Sequence, residues 1–177
     1  MSAAQPYPEP PSSRRRPATE AEARALASAT RLRILRVCLG QALTNKEIAE
    51  RLGRNPGSVL HHVRRLVETG FLAAEPERPG PRGSREVPYR ATGKSWTLDV
   101  HDRRPAHQAM LDAFLEEVQG ADAGETILAR LGVRFSDAER EEFLERVQAI
   151  LDEYADRPST VGGTPYSVFF AFHRDRR

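Results

Sequence analysis

One stretch constrains the fold of this chain more than any other. Residues 44–70, TNKEIAERLGRNPGSVLHHVRRLVETG, read as two short helices joined by a tight turn. Thr44 followed by Glu47 is a capping-box pattern: the hydroxyl serves a free backbone N–H and the carboxylate reaches back to another. Ile48, Ala49 and Leu52 then fall on one face of the first helix. Gly53 supplies a left-handed stop. Asn55 and Pro56 restart the chain as N-cap and first helical residue, where the missing proline N–H costs nothing.

The second helix has two unlike faces. At about 100° per residue, Val59, Val63, Leu66 and Val67 share one side, with His62 flanking them. Gly57, Ser58, His61, Arg64 and Arg65 lie opposite. That outer side is small near its start and cationic further along. Such a helix suits entry into a major groove, its first turns near base edges and its arginines near guanine or phosphate. An ordinary amphipathic helix with solvated arginines has the same pattern, so the flanking segments decide.

Upstream, residues 20–39 have a helical pattern that starts at Thr19 or Thr30 and ends at Gly40. Leu26, Leu32, Ile34, Leu35, Val37 and Leu39 supply its buried face, and Cys38 packs as a small hydrophobe. Downstream the period changes. Residues 71–74, FLAA, are short and apolar like a strand, and residues 75–85, EPERPGPRGSR, form turns. Residues 87–91, VPYRA, return as a second strand, which Pro88 assigns to a sheet edge or a bulge. Two strands around a basic tip make a wing, with Arg78, Arg82 and Arg85 placed to meet a minor groove or flanking phosphates. The same pattern also fits a surface hairpin with no partner.

Charge supports the first of these readings. The net +2 of the 177 residues hides an asymmetry: 17 Lys and Arg against 10 Asp and Glu through residue 100, then 10 against 15. A basic front (+7) and an acidic back (−5) assign any polyanion contact to the front. The single Cys38 excludes an intrachain disulfide and a multi-cysteine zinc site. The start, MSAAQPYPEPPSSRRRP, lacks the apolar core of a signal peptide, and no long apolar run exists. The expectation is a soluble, cytoplasmic protein without a membrane segment. Residues 1–18, rich in proline and serine, are expected to be a disordered tail. Its arginines, Arg14, Arg15 and Arg16, either brush a phosphate backbone or merely solubilise.

Residues 20–95 resemble the winged helix-turn-helix of bacterial ArsR-type transcription regulators. The segments ALASATRLRILRVC, LTNKEIAERLGRNPGSVLHHVRRLVETGFL and VPYRATGK carry the resemblance, and SVLHHVRRLVETGFL is its most specific part, similar to that family's recognition helix. The resemblance implies that Asn55, Gly57, Ser58, Leu60, His61 and Arg64 occupy DNA-facing or adjacent positions. Leu60 departs from the pattern, standing where a small polar residue is common. With Lys46, Arg65 and the wing residues Arg82 and Arg85, these form the candidate DNA-contacting set. The resemblance also implies, together with the short reach of one recognition helix, a homodimer on a palindromic operator.

Behind this domain the signals are weaker. Residues 94–100 alternate like a strand, and residues 106–118 are helical with Met110, Leu111, Phe114, Leu115 and Val118 as the apolar side. Ile127, Leu128 and Leu131 suggest a brief helix after Gly124. Ser136 with Glu139 opens a capped helix to about residue 155, striped by Phe143, Val147, Ile150, Leu151 and Tyr154. Residues 158–165 are a breaker-rich loop and residues 166–172 a closing strand. The whole is expected to be mainly α, of α+β class: a tail (1–18), a winged helix-turn-helix (19–95) and a smaller α+β dimerisation or sensory region (96–177).

No nucleophile motif or phosphate loop is recognisable, so no catalytic residue, enzyme activity or cofactor is assigned. No metal is assigned either: His101, Asp102 and His107 flank Pro105 and do not repeat on one helix face. Regulation is expected through the acidic back half, by a small organic effector or a protein partner. Its large apolar residues, among them Trp96, Met110, Phe114, Phe143, Tyr154, Tyr166, Phe169, Phe170 and Phe172, form a pocket, a packed core or a dimer seam. Two functions remain in view: a sequence-specific transcription regulator binding double-stranded DNA, and a winged-helix protein-interaction module that binds no duplex.

Overall fold

The computed structural model describes residues 15–80, 83–100, 104–155, 157, 160 and 163–174. They form two compact units, one through Ala121 and one from Asp122 onward. The first unit runs β1 (Arg16–Pro17), α1 (Glu20–Leu26), α2 (Ala29–Val37), β2 (Leu43–Thr44), α3 (Asn45–Leu52) and α4 (Pro56–Glu68). It continues with β3 (Leu72–Ala74), β4 (Arg78–Pro79), β5 (Arg85–Glu86), β6 (Pro88–Ala91), β7 (Leu98–Asp99) and α5 (Arg104–Gln119). This is a winged helix-turn-helix of mixed α+β type, and every strand among the described residues lies in this unit.

The helix expected over residues 20–39 is two helices. Thr19 caps α1 in a capping box with Glu22, and Ser28 caps α2 by accepting the Arg31 N–H. A serine hydroxyl that satisfies a free amide makes a new helix start more favourable than continuation. The Arg31 side chain seals the joint, donating from Nε to the Ala25 carbonyl (2.5 Å) and from Nη2 to that of Arg24 (2.7 Å). Those are carbonyls at the end of α1 with no helical partner of their own. The break turns Leu26, Ile34 and Leu35 into one core with Cys38, Ile48, Leu52, Val59, Val63, Leu66, Phe71 and Leu72. Leu39, expected inside, is exposed. Cys38 is fully buried, which pushes its thiol up to about 12 and leaves it inert.

The main sheet is antiparallel in the order β2-β6-β3. Pro88 therefore begins a central strand, and the edge expected for it is not found. As the first residue of β6, Pro88 is placed where its missing N–H breaks no interior ladder, and its carbonyl accepts the Glu75 N–H (2.8 Å). Part of the tail is also ordered. β1 pairs in parallel with β7, and the Ala18 N–H donates to the Asp99 carbonyl, so the disorder expected through residue 18 does not extend over Arg16–Ala18. The strand expected over residues 94–100 is a 3-10 turn (Lys94–Thr97) followed by the two residues of β7.

α5 packs on α1 and α2, and its fully buried positions are small residues. Ala106, Ala109 and Ala113 are buried, while Leu111 and Leu115 are 41% and 50% exposed. Alanines let helix axes approach closely, and ion pairs fix the rotation: Glu116 meets Arg33 (2.6 Å) and Arg54 (3.3 Å), and Glu117 meets Arg36 (3.8 Å). The unit therefore extends well past residue 95.

The second unit holds α6 (Asp137–Ala155), opened by the Ser136–Glu139 capping box. Around it, Phe143 makes ring contacts with Phe135, Phe170 and Phe172 at centroid distances of 5.4, 6.3 and 5.8 Å. The brief helix expected near Ile127 is absent: residues 126–135 have no regular structure, and Ile127 is 94% exposed. Residues 166–172 form no strand, because a strand needs a partner edge and the described residues of this unit offer none. The paired α+β arrangement expected at the back is thus corrected to one helix with an aromatic cluster. Trp96, Met110 and Phe114 belong to the first unit and Phe143 and Phe170 to the second, so the expected apolar residues do not share one compact body.

Candidate nucleic-acid interface

The helix-turn-helix is held by the local chemistry of its ends. In α3 the Thr44 N–H donates to Glu47 Oε2 (2.8 Å) and the Glu47 N–H to Thr44 Oγ1 (3.3 Å). Gly53 ends α3 at φ 61°, a left-handed conformation that glycine adopts without a Cβ clash. The Arg54 N–H then closes the turn on the Ala49 carbonyl (2.9 Å). Asn55 caps α4 by accepting the Gly57 N–H at Oδ1 (2.8 Å), with Pro56 next in line. A Cβ on Gly57 would stand 3.1 Å from that Oδ1, so the glycine keeps room for the cap. Asn45 Nδ2 donates to the Pro56 carbonyl (2.9 Å), tying the start of one helix to the start of the next.

α4 seats on the core through Val59, Val63 and Leu66, all fully buried. Val67, expected on that face, is 37% exposed at its margin. Gly57, Ser58, His61 and Arg64 point outward together, with Asn55 exposed just before them. Leu60 and Arg65 are half-buried, and Arg65 Nη1 lies 3.4 Å from Glu68. No ion pair holds Arg64 among the described residues. His62 is half-buried beside Arg31, whose Nη1 is 3.5 Å from His62 Nδ1. Burial first, then the nearby Arg31, His61 and Arg54, hold this imidazole below its ordinary pKa.

The other candidates are dispersed. Lys46 is an exposed residue of α3, loosely paired with Glu50 at 3.9 Å. On the wing, β4 and β5 pair Arg78 with Glu86 and Pro79 with Arg85. Arg85 is 81% exposed and 3.3 Å from Glu77. Arg82 lies outside the described residues. Arg78 is not a free wing cation: its Nη2 reaches both oxygens of Glu47 at 2.6 Å. That carboxylate is held below its ordinary pKa, by the Thr44 backbone first and then by the Thr44 hydroxyl and Arg78. Arg78 thus braces the wing against α3.

Sequence reasoning missed Arg24 and Arg31. Together with Ala27, His61, Arg64, Arg65 and Glu68 they line an open groove of about 620 Å³ where the α1–α2 joint meets α4. Their only signal in the sequence was a spacing of seven, two turns of a helix that turned out to be broken. No group of three or more His, Cys, Asp and Glu side chains converges among the described residues, and His101 and Asp102 lie outside them. Among them, too, no helix is long and apolar enough to cross a membrane.

Residues 26–74 match the helix-turn-helix domain family. Among solved structures, the chain is similar to HlyU from Vibrio cholerae at 21% identity and TM-score 0.34, over 54% of this chain and 84% of that one. It is also similar to the transcriptional repressor BigR from Xylella fastidiosa at 15% identity and TM-score 0.35, over 56% and 84%. A ZitR mutant from Lactococcus lactis gives 21% and 0.35, over 72% and 75%. No curated protein matches the chain.

Proposed function

We propose that the chain, whose residues 26–74 match the helix-turn-helix domain family and are followed by a wing, is a sequence-specific transcription regulator that binds double-stranded DNA and reads a palindromic operator as a homodimer. α4 is the recognition helix. The observation that carries this reading is its outer face, where exposed Gly57, Ser58, His61 and Arg64 stand on an anchor of fully buried Val59, Val63 and Leu66. Small residues lead, so the backbone can come close to base edges, and Arg64, which no ion pair holds among the described residues, follows at the depth of guanine or phosphate. Asn55, Leu60 and Arg65 border that face, and Lys46, Arg82 and Arg85 are assigned to flanking phosphates.

A protein-interaction module would need an apolar patch on the same face. Leu60, half-buried, is the only large apolar side chain among the outward α4 residues named above. Titration of a mixed-sequence duplex at two salt concentrations separates the two readings, because neutralised phosphates make DNA affinity fall as salt rises.

The homodimer rests on reach. One recognition helix reads a few base pairs, and two related by a two-fold axis read half-sites about one turn apart. Sedimentation of the free protein and of its DNA complex is expected to give two chains per assembly. A monomer at micromolar concentration in both states would contradict it.

A further inference from the structure

We propose that the groove between the α1–α2 joint and the last turns of α4 is a clamp for the DNA phosphate backbone, with Arg24 and Arg31 as its contacts beyond the recognition helix. This rests on the assignment of α4 as the helix that enters the major groove. Its 13 residues span about 20 Å at 1.5 Å per residue. The major groove is only about 12 Å wide. With Gly57 and Ser58 at the base edges and the helix axis inclined across the groove, the last turns of α4 come nearest the phosphate ridge that borders it. The lining of Arg64, Arg65, Arg24 and Arg31 stands at that end.

The charge there is poorly compensated. Four arginines and His61 line the groove against Glu68 as its one carboxylate. Arg31 is held by the carbonyls of Arg24 and Ala25, and by no acid among the described residues. Burial, and after it the charge of Arg65, hold its guanidinium below its ordinary pKa. Arg24 faces Glu20 at 3.3 Å, but both side chains are well exposed, so that pair is easily exchanged for another. Phosphate oxygens would balance this excess of cations, and the planar fork of arginine matches them. Arg31 also fixes the geometry, since the same guanidinium touches His62 of α4 and the end of α1.

A backbone clamp reads no sequence, and this distinguishes it from the outer face of α4. The test uses the full chain with a mixed-sequence duplex and an operator duplex, each titrated over a salt series. Arg24→Glu changes an exposed side chain and spares the joint. It is expected to weaken both duplexes equally, by about tenfold at low salt, and to reduce the salt slope by about 1 for each phosphate no longer neutralised. Glu68→Gln removes the one acid and is expected to tighten both. Unchanged affinity and slope in Arg24→Glu, where Arg64→Ala/Arg65→Ala loses binding, would overturn the clamp and leave the recognition helix in place. A weakening confined to the operator would also overturn it, because it would make Arg24 a base reader. A wild-type chain that binds neither duplex would remove the regulator reading and the clamp with it.

Discussion

Replacing Arg64 and Arg65 together with alanine is expected to weaken duplex binding by at least tenfold and to flatten its salt dependence. Arg64 is exposed on the outer face of α4, and Arg65 is half-buried at its border with a single carboxylate partner, Glu68 at 3.4 Å. A bidentate arginine–guanine contact contributes about 1–3 kcal/mol of discrimination, a factor of about 5 to 150. If either arginine meets phosphate instead, its removal takes about 0.9 per phosphate from the slope of log affinity against log salt. The fold should be little affected, because Val59, Val63 and Leu66, not the arginines, seat the helix. Unchanged affinity in a double variant with unaltered thermal unfolding would contradict the assignment of this face.

The largest effect on stability is expected at Glu22. Its buried carboxylate receives Arg16 through Nη1 (2.9 Å) and Nη2 (2.6 Å), Lys94 Nζ (2.8 Å) and the Thr19 N–H (2.9 Å). One side chain therefore joins β1, α1 and the 3-10 turn before β7. Removing one partner of a fully buried ion pair costs about 3–5 kcal/mol. Arg16 is half exposed, so about 2–3 kcal/mol is expected for Glu22→Ala, after discounting for solvent screening. The Arg16 bonds above all, and then those of Lys94 and Thr19, hold the carboxyl well below its ordinary value of 4.5. In the folded state the proton is bound less readily than in the unfolded chain. The contribution is therefore fully present above pH 4.5 and is lost as pH falls below it toward the depressed folded value. Denaturant unfolding of wild type and Glu22→Gln should differ most near neutral pH and converge in acid. A difference that grows on acidification would contradict the account.

The parts of this molecule legible in its sequence are those decided by neighbours in the chain. A capping box needs only Thr44 and Glu47, a left-handed stop only Gly53, and the start of α4 only Asn55 and Pro56. Helical periodicity likewise assigned Val59, Val63 and Leu66 inward. What was not legible depended on distant partners. Ser28 sits within a pattern that reads as continuous helix, and its role as a cap follows from the turn that Arg31 seals. Pro88 looks like an edge residue until β2 pairs beyond it. In α5 the large Leu111 and Leu115 outscore the alanines on hydropathy. Close approach to α2 and the Glu116 and Glu117 ion pairs nonetheless turn the alanines inward. The strand signal of residues 166–172 is strong locally but finds no edge to join among the described residues of its unit.

The candidate site divides along the same line. The outer face of α4 could be read from spacing within one helix. The commitment of Arg78 to Glu47 could not, since 31 positions in sequence, with α4 and β3 between them, separate the two. Nor could the meeting of Arg24 and Arg31 with Arg64 and Arg65, which needs the broken α1–α2 joint to bring two helices against a third.

The most direct measurement is a titration of the wild-type chain with a duplex selected from random sequence by its own binding, beside a shuffled duplex, at two salt concentrations. The selected sequence is expected to be two-fold symmetric, with half-sites about one helical turn apart. This duplex is expected to bind at least about a thousandfold more tightly than the shuffled one, the lower range for specific recognition. Both affinities should fall as salt rises. Equal affinity for the two duplexes, or no salt-dependent binding to either, would contradict the claim that α4 reads DNA.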